Sequence, residues 1–293
     1  MSNITIATHN GSFHADDVFA VATVLLVYPG ATIIRTRDEE KIREATIAVD
    51  VGTEYDPSRC RFDHHQIGGA GLRANTIPYA SFGLVWKEFG EKLAGNREVA
   101  QIIDQKLVMP IDALDNVVAV SNPIFEGVRT YSVSDFFYSF IEEPISDDSY
   151  LFAIFMRAVD LAQSLLLREI KRAQHEINDA NELRKILEMS SDRRLIVLDR
   201  EMSWHRVLIP VPEALYVVYP RYGDRWGIEA VRRHFNGFEL KKPLPETWAG
   251  KENQDLSSLT GVEDALFCHN KRFLAVAQTR EGALRLAEIA LSA

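Results

Sequence analysis

The chain has 293 residues, 46% of them hydrophobic and 26% charged, with 42 acidic against 33 basic residues and a net charge of −9. That balance excludes a broad basic surface for duplex DNA, but not an anionic substrate, because bound divalent cations can reverse the field locally. The length suits one large or two moderate domains, and no uninterrupted apolar run approaches the ~20 residues of a membrane span.

The opening residues Met1-Ser2-Asn3-Ile4-Thr5-Ile6-Ala7 lack the basic and apolar regions of a signal peptide and the Arg-rich pattern of a transit peptide. Residues 3–8 (NITIAT) read as a β-branched strand and 16–27 (DDVFAVATVLLV) as an apolar helix ended by YPG. ATIIRT at 31–36 is a second strand, RDEEKIREA a short charged helix, and TIAVDVG at 46–52 a third strand. This alternation predicts an α/β domain with a parallel sheet, in which functional side chains collect at the carboxyl ends of the strands. Helical patterns follow over 76–109 and 134–189, the second beginning as an apolar core helix and continuing as a charged connector.

The polar SSDRR at 190–194 marks a shift in composition. Beyond it, 195–199, 206–211, 215–220 and 225–231 read as strands. A proline-rich loop (241–248), a strand pair within 265–277 and a final helix (TREGALRLAEIAL) follow. Two domains are therefore expected, an α/β catalytic domain with its helical connector over 1–190 and a smaller α/β substrate-binding domain over 191–293. Cys60 and Cys268 lie far apart without CxxC spacing, which supports neither a disulfide framework nor a zinc ribbon and suits a reducing cytoplasm.

Four clusters carry candidate chemistry: His9-x4-His14-x-Asp16, Asp50 in VDVG, Asp63-His64-His65 in FDHHQ, and Asp112 with Asp115 in PIDALDN. Imidazoles mixed with carboxylates suit Mn²⁺, Fe²⁺ or Zn²⁺, and no thiolate accompanies them. A carboxylate at a strand end can bridge two ions, and two ions ~3.5–4 Å apart clamp a phosphoryl group and activate water. Plainer roles exist for each residue. Asp17 in a first helical turn reads as a partner of the helix dipole, and Asp112 and Asp115 are each as well explained as turn residues. The order of the clusters and their shared place at strand ends favour metal binding.

In that order (H-x4-H-x-D, VDVG, DHH, IDALDN) the sequence resembles the DHH phosphoesterase superfamily. It is most similar to the melanocyte-proliferating-gene branch, also described as metal-dependent protein hydrolases. THNGSFHADD, VDVGTEYDPSRCRFDHHQ, YASFGLVWKEFG, IDALDN, KKPLPETWAG, LTGVEDALFCHN and TREGALRLA carry the likeness over nearly the whole chain. The resemblance implies a DHH-type catalytic domain binding two Mn²⁺ ions, with Mg²⁺, Zn²⁺ or Fe²⁺ as other candidates. His9 and His14 would hold one ion, Asp16 the other, Asp50 would bridge them, and one of Asp112 and Asp115 would complete the second site. His64 or His65 would stand near the metals and phosphate, with Asp63 orienting an imidazole.

The implied activity is 3′-to-5′ exonuclease action on single-stranded RNA or short oligonucleotides by metal-activated water. No membrane is expected as a partner, and a homodimer is admitted. The alternatives are a hydrolase of pyrophosphate or a dinucleotide, and a non-catalytic metal-stabilised scaffold. The family pattern HASGFIGG reads here as HNKRFLAV, keeping His269 but losing the glycines. His269, Lys271 and Arg272 are the substrate-binding candidates there, the two cations standing where backbone would otherwise approach a nucleotide.

Overall fold

The computed structural model describes residues 4–141 and 147–293. The protein is a mixed α/β protein that divides into two compact units, Met1–Gln174 and His175–Ala293. The division falls inside one long helix, ahead of the composition shift at 190–194.

In the first unit, β1 (Thr5–Thr8), α1 (Ala15–Val27), β2 (Thr32–Arg35), α2 (Glu39–Glu44) and β3 (Ile47–Val49) alternate as the sequence predicts; residue 3 of the expected first strand lies outside the described residues. Two short strands missed by the sequence reading, β4 (Tyr55–Asp56) and β5 (Arg61–Phe62), complete a sheet in the order β2-β1-β3-β5-β4. Four strands run parallel and only β4 is antiparallel, at the edge. Ile6 pairs with Ile47 and Val49 with Phe62, so β1, β3 and β5 end side by side. The residues that follow those ends are His9, Asp50 and Asp63.

The helical region expected over 76–109 starts later, because Pro78 and its neighbours are extended. It comprises α3 (Ser81–Ala94), α4 (Arg97–Ile103), a π-helical turn (Asp104–Val108) and α5 (Met109–Asp115). Pro110 has no N–H to give to the carbonyl four residues back, and the helix widens just before it. The helix expected over 134–189 is α6 (Val133–Tyr138) and α7 (Asp148–Met189); residues 142–146 lie outside the described residues.

One stretch of α7 is apolar enough by length and composition to cross a membrane. Its buried residues Leu151, Ile154, Phe155, Ala158, Val159 and Ala162 recur at three- and four-residue spacing, the pattern of a helix packed in a core.

Helix α1 is the centre of this unit. Residues 15–24 are all buried, and α1 packs on α3 with Phe19 stacked on Phe82 at 5.2 Å.

The second unit holds β6 (Leu195–Val197), α8 (His205–Leu208), β7 (Tyr216–Arg221), β8 (Arg225–Ala230), α9 (Asn253–Thr260), β9 (Ala265–Cys268), β10 (Leu274–Ala277) and α10 (Arg280–Ser292). Its sheet runs β6-β7-β8-β10-β9, with β6 and β7 parallel and the other pairs antiparallel. Alternation along β7 sets its two faces. Tyr216 and Val218 pack with Leu256, Leu286 and Ala290, and Val217 and Tyr219 pack with Leu183, Trp204 and Leu208.

The strand expected at 206–211 is instead the short helix α8. A run of apolar residues ending in proline does not distinguish the two by periodicity, and here Leu208 and Ile209 donate to the carbonyls of Trp204 and His205.

Close packing fixes α5 against α3. A Cβ on Gly83 would fall inside the buried Asp112 carboxylate and 2.8 Å from Arg73 Nη2. Gly83→Ala should therefore destabilise the protein by about 1–3 kcal/mol through overpacking, seen as a lower urea midpoint at unchanged m; an unchanged midpoint would contradict this packing.

Candidate metal centre

Asp50 lies one residue beyond β3 with a φ of +55°, in the left-handed region that aspartate enters more readily than most residues. This turns its carboxylate across the strand ends. Oδ2 stands 3.3 Å from His9 Nε2, and Oδ1 stands 3.5 Å from both His64 Nε2 and His65 Nδ1. Ser81, the first residue of α3, donates its hydroxyl to Asp50 Oδ1 at 3.0 Å.

Three overlapping sets of ligand atoms result, each with all its atoms within 4.8 Å of one another. They are His9, His14, Asp17 and Asp50; Asp50, His64 and His65; and Asp16, His64 and Asp115. Asp50 belongs to the first two and His64 to the last two.

Neighbouring side chains aim these atoms. His9 Nδ1 lies 3.1 Å from the Asn10 carbonyl, which suits Nδ1–H donation and leaves the Nε2 lone pair facing Asp17 and Asp50. Arg35 donates to the carbonyls of His9 (3.1 Å) and Gly11 (2.8 Å) and fixes the loop. Asp16 accepts from the backbone N–H groups of Ser81 (3.0 Å) and Phe82 (2.7 Å) at the start of α3. Asp63 accepts from the backbone of Thr53, His64 and His65, and its Oδ1 lies 2.7 Å from His65 Nδ1. His65 is held by that bond while half its side chain stays exposed.

The donor set fits divalent ions. His9 Nε2, Asp17 Oδ2 and His64 Nε2 are buried without hydrogen-bond partners, although carboxylate oxygens and imidazole nitrogens face them at 3.1–3.5 Å. Buried polar groups are rarely left unpaired, and here the unpaired atoms converge on shared points.

Protonation reflects the same crowding. Burial pushes His64 down, but Asp115 and Asp50 outweigh it and raise the imidazole to about 11. Burial lifts Asp17 to about 6 against the pull of His9. Asp16 is raised well above the carboxylate range by burial and then by Asp50 and Asp115, whereas Asp50, despite its burial, is held low by His64 and His9.

Asp17 and Arg73 are the residues missed from sequence. Asp17 does cap α1, accepting from His14 N at 2.7 Å through Oδ1, but its Oδ2 also lies 3.3 Å from His9 Nε2. The buried N-terminal turn of α1 directs both adjacent aspartates inward. Arg73, the lone cation in the glycine-rich IGGAGLRAN segment, is bonded to Asp104 and Asp112. Asp112 is thereby taken out of the cluster, since Arg73 and the Gly83 N–H occupy its two oxygens. Asp115, one turn on, lies 3.1 Å from His64. The only sequence signal for Arg73 was a basic residue in an otherwise uncharged loop.

In the second unit, His269 and Lys271 line a 460 Å³ cavity with Arg232, Phe238, Leu240 and Phe273, while Arg272 is not part of its wall. Arg272 instead takes a φ of +59°, at the position where the family pattern has a glycine.

The family profile MYG1_exonuc, described as "Uncharacterised protein family (UPF0160)", matches residues 5–291. The chain is 30% identical to the MYG1 protein of Dictyostelium discoideum over 98% of its own length and 96% of that protein. It is 30% identical to the MYG1 exonuclease of Homo sapiens, covering 98% and 85% of the two chains. A MYG1 protein of Chlamydia muridarum is also 30% identical, covering 94% and 93%. No solved structure matches the chain.

Ions must displace protons from these ligands, His64 above all. Because its pKa lies far above neutrality, the proton is present across pH 6–8, and the affinity for a divalent ion should rise by roughly tenfold per pH unit for each proton displaced. Calorimetry in buffers of different ionisation enthalpy should record net proton release; pH-independent binding would contradict the arrangement.

Proposed function

Since the chain belongs to the MYG1 family, we propose that it is a divalent-metal-dependent phosphodiesterase, a 3′-to-5′ exonuclease on single-stranded RNA or short oligonucleotides with Mn²⁺ as its ion. The observation that carries this reading is Asp50, whose two oxygens face two separate groups of ligands. His9, His14, Asp17 and Asp50 would hold one ion, and Asp16, His64 and Asp115 with Asp50 a second. Bound there, a pair of ions supplies Lewis acidity toward the phosphodiester and lowers the pKa of water.

The protein's own contribution is positioning and proton transfer. The α3 N-terminus fixes Asp16 through two backbone donors, and the Ser81 hydroxyl fixes Asp50. Asp63 holds His65 through Nδ1, which leaves Nε2 for the leaving oxygen of the phosphodiester. His65 lines the cavity that contains the cluster, with His14, Asp16, Asp50 and Asp115. Exposed residues such as Ile124 and Phe125 border that cavity, and this open border favours the end of a chain over an enclosed small molecule. The human, mouse and rat relatives are named exonucleases, which supports the same reading.

With Mn²⁺, 5′-labelled single-stranded RNA should shorten progressively while 3′-labelled RNA releases mononucleotide at once, and chelator should abolish both. Preferential hydrolysis of pyrophosphate would instead favour the small-molecule alternative. Asp50→Asn should lower turnover by more than about a hundredfold, the upper end for losing even an outer partner of a metal ligand. For His65→Ala, kcat should fall by roughly 10²–10⁴ with Mn²⁺ affinity changed only a few-fold. Equal losses of turnover and ion binding would refute its proton-transfer role.

A further inference from the structure

The cavity that contains the cluster, about 890 Å³, has a second wall of different chemistry. It is built by the segment between α5 and α6. Ile124, Phe125 and Val128 on that wall are 90%, 71% and 62% exposed. Lone exposed apolar residues are ordinary, but a contiguous group beside a candidate active site marks a binding surface.

The wall is tied at both ends. Val118 N donates to the Ala113 carbonyl at 2.7 Å as the chain leaves α5. At the other end Arg129 Nη1 bonds both Asp135 oxygens (2.7 and 2.9 Å), and Ser132 caps α6 through Asp135 N. Phe125 opens a turn closed by Val128 N to its carbonyl at 3.2 Å, with Gly127 at φ +73° as the third residue.

Charge identifies the occupant. Among the described residues lining the cavity, Arg129 is the one lysine or arginine, and it is engaged by Asp135. Along this wall a phosphodiester chain therefore meets no free lysine or arginine, in a protein whose net charge is −9; Arg37, whose Nη2 lies 3.4 Å from His9 Nδ1, is not part of the wall. What this wall offers is an aromatic ring with apolar neighbours, a surface for the faces of unpaired bases, which a duplex hides in its stack.

On the nuclease reading above, we propose that Phe125, flanked by Ile124 and Val128, is the platform on which an unpaired base beside the scissile phosphodiester stacks. Phe125 is then a specificity-determining residue, selecting single strands by their bases while the acidic cluster acts on the phosphodiester.

The test compares two RNA hexamers with Mn²⁺ and the full chain, identical except that the last two residues of one are abasic. Wild-type protein should prefer the intact hexamer by roughly 5- to 150-fold in kcat/KM, chiefly through KM, the range for losing one stacked base. Phe125→Ala should bring the ratio close to one, and Phe125→Trp should preserve it. If wild-type protein cleaves both hexamers equally, or Phe125→Ala leaves the ratio intact, the platform is overturned while the nuclease reading stands. If neither hexamer is cleaved, the nuclease reading itself fails. Sedimentation of the wild type and Phe125→Ala covers the other occupant: a dimer that dissociates on substitution would assign the wall to a second copy and overturn the proposal.

Discussion

Like charge in a confined space is the constraint that organises the first unit. Asp16, Asp17 and Asp50 are buried, and Asp115 joins them half-buried against His64. Carboxylates so close cannot all ionise without compensating positive charge. The imidazoles of His9 and His64 provide some of it while protonated, which is why both are raised despite burial. Divalent ions would provide more, and with better geometry, because each can be shared by several oxygens and nitrogens at once. Much of the surrounding structure holds these groups in place against their repulsion. The α3 N-terminus grips Asp16, Ser81 steadies Asp50, and three parallel strands deliver His9, Asp50 and Asp63 to one edge.

The same constraint separates Asp112 from Asp115. Both lie on α5, and by spacing alone they are equivalent. Arg73 distinguishes them by neutralising Asp112 within a buried pair that also reaches Asp104. A paired buried charge is tolerable where an isolated one is not, so this ion pair anchors α5 and leaves Asp115 as the carboxylate facing His64. The fit at Gly83, where any side chain would strike Asp112, belongs to the same arrangement.

These two cases mark how far the sequence could be read. The parallel sheet and the strand-end placement of His9 and Asp50 follow from local pattern, because apolar periodicity and terminating glycines are written in adjacent residues, whereas the two-residue strand β5 that delivers Asp63 is too short to leave such a pattern. The convergence of His64 and His65 was not legible: adjacent side chains of an extended segment are expected to point apart, yet their rings lie 4.3 Å apart and both reach Asp50 Oδ1 at 3.5 Å. Arg73 with Asp112 was not legible, since a pair 39 residues apart leaves no periodic trace. Asp17 reads as a partner of the helix N-terminus, which it is through Oδ1, and because that local explanation suffices, the approach of its second oxygen to His9 leaves no trace in the sequence. Helix α8 was misread as a strand for a different reason: its apolar residues are consecutive, and only Pro210 hinted against a ladder. The wall around Phe125 has neither helical nor alternating pattern, so nothing local announced it.

The loop after β9 shows how a departure from a family pattern can be accommodated. Glycine enters left-handed backbone freely, whereas arginine does so at a cost on the order of 1–2 kcal/mol. Arg272 nonetheless adopts that conformation, and the turn is held by its N–H to the His269 carbonyl at 2.7 Å and by Leu244 N–H to its own carbonyl at 2.9 Å. The backbone path thus survives without the glycine. What changes is the surface: a side chain now projects where backbone would have been bare, and the adjoining cavity is bordered by Arg232, His269 and Lys271 with Phe238 and Phe273. A ligand in that cavity would meet cations and rings rather than peptide N–H groups.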